Sequence, residues 1–184
     1  KAFISLIKDF QQDFVEEERN YTVCTGLEVR RMSKTTKILI DGDACPVKDT
    51  IFAIGKAYDV PVVVICSIAH FTRKQDERGQ WIFVDSSYQN VDMELVNRAK
   101  PGDIAITQDY GLAALLLNKH CVVLHHGGFQ YTEDNIEQLL MNRHISAKIR
   151  QAGGRTKGPK PLTGEHKRQF GQLLEKVVQE AKQE

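Results

Sequence analysis

The sequence predicts an α/β protein in which helices cover both faces of a mostly parallel sheet of about five strands. From Lys37 onward, short β-branched runs alternate with stretches of helical length, the pattern of parallel strands joined by crossover helices. The run Pro61–Cys66 is apolar, as expected of a strand buried on both sides. Because such crossovers are right-handed, we expect the carboxyl ends of the strands to lie along one edge of the sheet.

The elements follow one another in a regular order. The predicted strands are Lys37–Ile40, Pro61–Cys66, Trp81–Val84, Asp103–Ile106 and Cys121–Leu124. The predicted helices are Pro46–Tyr58, Asp92–Ala99, Tyr110–Asn118, a long helix from Thr132 to about Ile149, and a final amphipathic helix containing Phe170 and Val178. Pro46 is expected in the first turn of its helix, and Thr132 is expected to cap the long one.

The chain is divided into an extension and one domain. Residues 1–36 are interpreted as an N-terminal extension that need not be native to the domain, because Met32 stands five residues before the first strand. Residues 37–184 form the predicted α/β domain, with a helical tail from about residue 132. The apolar runs are too short to span a bilayer, so a membrane protein is excluded. Four cysteines without a C-x-x-C pair argue against a zinc ribbon and favour reduced thiols in the cytoplasm.

Aspartates follow two of the predicted strands. Asp41 and Asp43 close the first strand, Asp109 follows the fourth, and Asp92 opens the helix before the fourth. Ligands of open α/β sheets bind outside the carboxyl ends of the strands, where the strand order reverses. Several carboxylates at that place provide the oxygen ligands that Mg²⁺ or Mn²⁺ prefers. The sequence therefore predicts a metal site and catalytic centre at Asp41, Asp43, Asp92 and Asp109.

A structural role competes with this interpretation at three of the four positions. Asp43, Asp92 and Asp109 each precede a predicted helix, and Asp is a favoured N-cap residue. Asp41 is harder to explain in this way, because it ends an apolar strand and would be poorly solvated without a partner. Asp103 precedes its strand, so it is expected at the opposite edge in a turn or cap.

Further residues are predicted to contact a substrate. Ser67, Thr107 and Lys48 are expected near the acidic edge. Arg155 and Lys157 belong to a region of eight basic residues and one acidic residue between positions 143 and 168, which resembles a footprint for a nucleic-acid backbone. A solvated helix face with a basic loop is the alternative interpretation of that region. Cys45 is interpreted as a packed small side chain rather than a nucleophile.

The string Asp41-Gly42-Asp43-Ala44-Cys45-Pro46-Val47-Lys48 resembles the D-A-D-A-C-P-x-K opening of the YaiI/YqxD family of bacterial proteins. Similar segments follow in order, including Thr107 to Asp109 and Tyr131 to Ile136. The chain differs from the family pattern at Gly42, where Ala is commoner, and at Gly127, where relatives often carry Arg. The family is grouped with PIN-like domains, so the resemblance implies a PIN-like three-layer α/β/α sandwich and the same acidic site.

Three functions remain open at this point. The leading hypothesis is a divalent-metal-dependent nuclease that uses Mg²⁺ or Mn²⁺ to act on RNA, or less favourably on DNA. A non-catalytic module that binds nucleic acid or protein on the same scaffold is the second. A phosphatase of the haloacid-dehalogenase type, with Asp41 as nucleophile, Asp43 as general acid and Ser67 as a phosphate ligand, is the third.

Overall fold

The computed structural model describes residues 36–43, 45–71, 76–85, 90–156 and 161–183. A six-stranded sheet lies at the centre of this part of the chain, with the strand order β3-β2-β1-β4-β5-β6. All neighbouring strands pair in parallel except β5 and β6, which are antiparallel. The strands are β1 Ile38–Asp41, β2 Val62–Ser67, β3 Gln80–Val84, β4 Ile104–Ile106, β5 Val122–His125 and β6 Phe129–Tyr131.

Helices cover both faces of the sheet. They are α1 Lys48–Ala57, α2 Asn90–Arg98, α3 Tyr110–Asn118, α4 Glu133–Gln151 and α5 Gly164–Gln183, and a short 3-10 helix spans Ile68–His70. Successive residues of the central strands point to opposite layers. Ile38 and Ile40 pack with α1 and α5, whereas Leu39 packs with α2, α3 and α4. Three layers result, with the sheet in the middle.

The predicted fold class is confirmed, and the structure adds one strand to it. The three residues of β6 were not predicted, because a short segment behind a Gly-Gly turn carries no strand pattern. Two helices begin at other residues than predicted. Helix α1 starts at Lys48, after a turn that contains Pro46, and α2 starts two residues before Asp92. The predicted extension lies outside the described residues, apart from Thr36.

The long helix α4 extends past the carboxyl edge of the sheet. Thr132 caps it as predicted, in a reciprocal capping box with Asn135. Its eleventh residue, Arg143, reaches the Asp109 carboxylate at the start of α3. The eight residues that follow, up to Gln151, extend the helix by roughly 12 Å more at 1.5 Å per residue. The last part of α4 therefore projects beyond the edge where the aspartates lie.

Candidate functional site

The aspartates meet where the strand order reverses. Strands β1 and β4 are neighbours in the sheet, but the chain passes through β2 and β3 between them. Asp41 is the last residue of β1 and Thr107 is the first residue after β4. The Thr107 hydroxyl donates a hydrogen bond to Asp41 Oδ2 at 3.1 Å and accepts one from the backbone N–H of Asp109 at 3.0 Å. This hydroxyl thus holds the carboxyl ends of the two strands together.

Asp41 lies at the bottom of this crevice. It is 8% exposed. Burial raises its pKa above the usual 3.8, and the charges of Asp43 and Asp109 raise it further. The hydrogen bonds from Thr107 and from the Asp43 backbone act in the opposite direction. Hydrogen bonds therefore hold the Asp41 carboxylate in place, although burial and the nearby aspartates disfavour its negative charge.

Asp43 is held by the last residue of β2 and by the short 3-10 helix that follows, and it does not cap a helix. The residue before α1 is Val47, and no side chain caps that helix. Asp43 Oδ1 instead accepts a hydrogen bond from the Ser67 N–H at 2.9 Å. Nδ1 of His70 lies 3.1 Å from the same oxygen and 3.0 Å from Ser67 Oγ. The N-cap interpretation of Asp43 was wrong, since its side chain is bound across the β1–β2 pair.

Asp92 faces the other three aspartates from the first turn of α2. Its pKa rises from 3.8 to about 6, first because it is partly buried and then because of the charges of Asp41, Asp109 and Asp43. Among the residues that the structure describes, no cation or hydrogen-bond donor pairs with this carboxylate. The prediction that Asp92 caps this helix was wrong, because Asp92 is the third residue of the helix. Its position therefore brings a fourth negative charge to the crevice.

Asp109 caps α3 and also forms an ion pair. Its Oδ1 accepts hydrogen bonds from the N–H groups of Gly111 and Leu112, as the capping interpretation predicted. Its Oδ2 lies 3.0 Å from the Arg143 guanidinium. The capping interpretation of Asp109 is therefore confirmed for one oxygen, while the exposed Arg143 side chain binds the other.

The donor set suits a hard divalent cation that keeps part of its water shell. Within the described ranges, no three His, Cys, Asp or Glu side chains are already arranged to enclose a metal ion. Mg²⁺ does not require such a cage, since it commonly binds through one or two carboxylates and retains several waters. Asp41 and Asp92 have raised pKa values that a cation would lower again. The residues present therefore fit a hydrated Mg²⁺ or Mn²⁺.

The predicted substrate contacts are only partly gathered at this edge. Thr107 and Ser67 lie there, and both are buried and bound to the aspartates. The Lys48 ammonium lies 3.1 Å from the carbonyl oxygen of Cys45, at the start of α1. Arg155 is exposed in the segment after α4, without a contact to the four aspartates. Lys157 lies outside the described residues.

Two residues of the site were missed in the sequence analysis. His70 and Arg143 reach Asp43 and Asp109 from segments 27 and 34 residues further along the chain. Nothing local in the sequence indicates either pairing. Cys45, which was interpreted as structural, is buried, and burial raises the pKa of its thiol to about 11. A thiolate at Cys45 is therefore strongly disfavoured.

Gly42 lies between Asp41 and Asp43 in a space that has no room for a side chain. A Cβ atom there would lie 2.7 Å from Val64 Cγ1 and 2.8 Å from the Ile65 carbonyl oxygen. The Gly42 N–H donates to that same oxygen at 2.7 Å. The close approach of β2 explains why glycine fits this position, where alanine would displace the neighbouring strand.

Fold and site together define an α/β protein with an acidic crevice at the switch point of its sheet. The sequence pattern described as "Uncharacterized BCR, YaiI/YqxD family" matches residues 39–180, and the chain belongs to this family. A UPF0178 protein of Bacillus cereus (strain G9842) is 46% identical over 143 residues, which cover 77% of this chain and 98% of that relative. A UPF0178 protein of Bacillus anthracis (strain A0248) is 45% identical over the same length.

One solved structure shows a weak similarity. It is Rae1 (YacP) from Bacillus subtilis, which is 13% identical, with a TM-score of 0.40 over 79% of this chain and 99% of the other.

In the part of the chain that the structure describes, none of the helices combines the length and apolar character needed to cross a membrane.

Proposed function

We propose that this protein is a divalent-metal-dependent phosphodiesterase that cleaves nucleic acid, with RNA as the expected substrate and DNA as the less favoured one. The observation that carries the proposal is the gathering of Asp41, Asp43, Asp92 and Asp109 at the switch point of the sheet. The pKa values of Asp41 and Asp92 are raised there, first by burial and then by the charges of neighbouring aspartates. Proteins place such costly groups together mainly where function requires them.

Each residue of the crevice has a distinct part in this proposal. Asp41, Asp43 and Asp92 would hold Mg²⁺ or Mn²⁺, and Asp109 would join them through Oδ2 once Arg143 releases that oxygen. The ion would activate water and neutralise charge on a phosphodiester. Thr107 keeps Asp41 in a fixed orientation, and the Ser67 N–H does the same for Asp43. Arg143 is 54% exposed at its side chain, so it can exchange Asp109 for a substrate phosphate.

The basic region supports a polyanionic substrate. The projecting end of α4 carries Lys148 and Arg150, and Arg155 follows it. Lys167 and Arg168 lie in the first turns of α5. All of these residues are exposed, and the helix α4 that carries the first two contacts the acidic crevice through Arg143. Cationic side chains beside an acidic centre suit a substrate that has many phosphates.

Metal titration tests the proposal directly. We expect calorimetry to show Mn²⁺ and Mg²⁺ binding to the wild type and not to Asp41→Asn. Asp59→Asn is the matched control, because Asp59 lies at the opposite edge with a φ of 51°, a conformation that Asn also tolerates. We further expect cleavage of RNA by the wild type and by Asp59→Asn only. Wild-type protein that neither binds millimolar Mn²⁺ nor cleaves RNA would refute the proposal.

The same proteins separate the two alternatives. A haloacid-dehalogenase-type phosphatase would hydrolyse a small phosphomonoester such as para-nitrophenyl phosphate and would form a phosphoaspartate on Asp41. A non-catalytic binding module is favoured by one observation, the occupation of both Asp109 oxygens by protein donors. Such a module would bind RNA equally well in the wild type and in Asp41→Asn, without cleaving it.

A further inference from the structure

The turn between β5 and β6 carries a stack of aromatic rings at the carboxyl edge. His125 stacks on Phe129 with a centroid distance of 4.6 Å and an interplanar angle of 16°. It also stacks on His126, at 4.4 Å and 28°. Phe129 remains 37% exposed, although it is a large apolar side chain. Part of the Phe129 ring therefore remains open to solvent at the edge that contains the acidic crevice.

The stack is held rigidly. The Gly127 N–H donates to His125 Nδ1 at 2.8 Å, so the proton of the neutral imidazole is on Nε2. Tyr131 packs edge-on against both Phe129 and His125 and reaches the Thr107 carbonyl oxygen with its hydroxyl at 3.4 Å. Gly128 has a φ of 90°, and a Cβ atom there would lie 2.9 Å from Gln169 of α5. An aromatic surface that is fixed before binding loses little entropy when a ligand stacks on it.

The ring lies close to the crevice and to positive charge. Strand β5 is the neighbour of β4, and Thr107 donates its N–H to the Leu124 carbonyl oxygen, so His125 is adjacent to Thr107 across the two strands. Phe129 on β6 is one strand further out, roughly 10 Å from Thr107 at the usual strand spacing. Lys167 and Arg168 directly precede Gln169, against which the turn packs.

We propose that the exposed ring of Phe129, supported by His125, is a stacking subsite for a nucleobase that is a few nucleotides away from the phosphate at the acidic crevice. The inference rests on the proposed function and names its substrate as a single strand, because a duplex does not present an unstacked base. A single exposed ring with glycines and Gln130 around it is too small for a protein interface, whereas it matches the face of one base.

Binding without metal tests this subsite separately from cleavage. A short single-stranded RNA with a fluorescent label is titrated in EDTA, and anisotropy reports the dissociation constant. We expect Phe129→Ala and Phe129→Leu to weaken binding by roughly tenfold or more, and Phe129→Trp to retain it. Leu keeps the apolar volume and lacks the π face, so the Leu variant separates stacking from loss of packing. Tyr58→Ala, an aromatic truncation at the opposite edge, is expected to bind as the wild type does.

The outcomes distinguish the two proposals. Equal binding of single strands by the wild type and Phe129→Leu overturns the stacking subsite, even if RNA is cleaved with Mn²⁺. Weaker binding by Phe129→Leu supports the subsite, even if no metal produces cleavage. Tighter binding of a duplex than of the matching single strand by the wild type also overturns it.

Discussion

The carboxylate of Asp92 is predicted to destabilise the metal-free protein. Its pKa of about 6, against a normal 3.8, means that the folded state holds its proton more tightly than the unfolded state does. At about 1.4 kcal/mol for each pKa unit, ionising this group in the folded protein costs up to ~3 kcal/mol. Because Asp92 is only partly buried, solvent screening reduces this figure to ~1–2 kcal/mol. We expect Asp92→Asn to recover about that amount at pH 7.5 in EDTA.

The sign of the effect depends on pH. Below about pH 3, Asp92 is mostly protonated in both states, so the wild type and Asp92→Asn have nearly equal free energies of unfolding. As the pH rises through about 4 to 6, the unfolded state loses this proton before the folded state does, and the wild type becomes less stable than the variant. Burial lowers the pKa of His125 to about 4, and this opposes the trend in the same pH range. The useful quantity is therefore the difference in the free energy of unfolding between the wild type and Asp92→Asn at each pH. The pH dependence of either protein alone would combine the effects of Asp92 and His125.

Urea denaturation at pH 4.5 and pH 7.5 in EDTA measures this difference. Asp59→Asn is the control, since Asp59 lies at the other edge of the sheet, away from the four clustered carboxylates. Its stability relative to the wild type is expected to stay constant between the two pH values. If Asp92→Asn is no more stable than the wild type at pH 7.5, burial and the neighbouring charges do not act on Asp92 as described.

Two further changes test the framework around the site. Asp103 is 2% exposed at the opposite edge, where it accepts hydrogen bonds from the Lys37 ammonium at 2.6 Å and the Lys100 N–H at 2.9 Å. Asp103→Ala is expected to lower the free energy of unfolding by ~3 kcal/mol in urea titration. Calorimetry is expected to show unchanged Mn²⁺ binding. Loss of Mn²⁺ binding by the folded variant would contradict a purely structural role of Asp103. Thr132→Ala removes the capping box with Asn135 and is expected to cost ~1 kcal/mol in the same titration, while an unchanged midpoint would mean that the cap contributes nothing measurable.

The fold was largely predictable because its signals are local. Buried parallel strands are recognisable as short β-branched runs, and Thr132 and Asp109 are helix caps within a few residues of their partners. Strand β6 carries no such signal, since its three residues pair with β5 only because the turn brings them back. The start of α1 was also misplaced, because Pro46 lies in a turn before the helix and not in its first turn.

The candidate site was predictable only in part. The arrangement of Asp41 and Asp109 follows from topology, because Asp41 ends β1 and Asp109 follows the neighbouring strand β4. The pairing of Asp43 with Ser67 and His70 does not, since it depends on how a loop folds over the edge. Arg143 reaches the site only through the path of a long helix, which no local spacing encodes.

The last helix has a consequence for the protein during its synthesis. Helix α5 contributes Phe170, Leu174 and Val178 to the core on the α1 face of the sheet, against Ile38 and Ile40 near the beginning of the domain. Until α5 has left the ribosome, α1 covers that apolar face of the early strands only in part. Release of a chain that stops before Phe170 would therefore produce an aggregation-prone species. The early strands form from local sequence signals, but their apolar face is fully buried only after translation is complete.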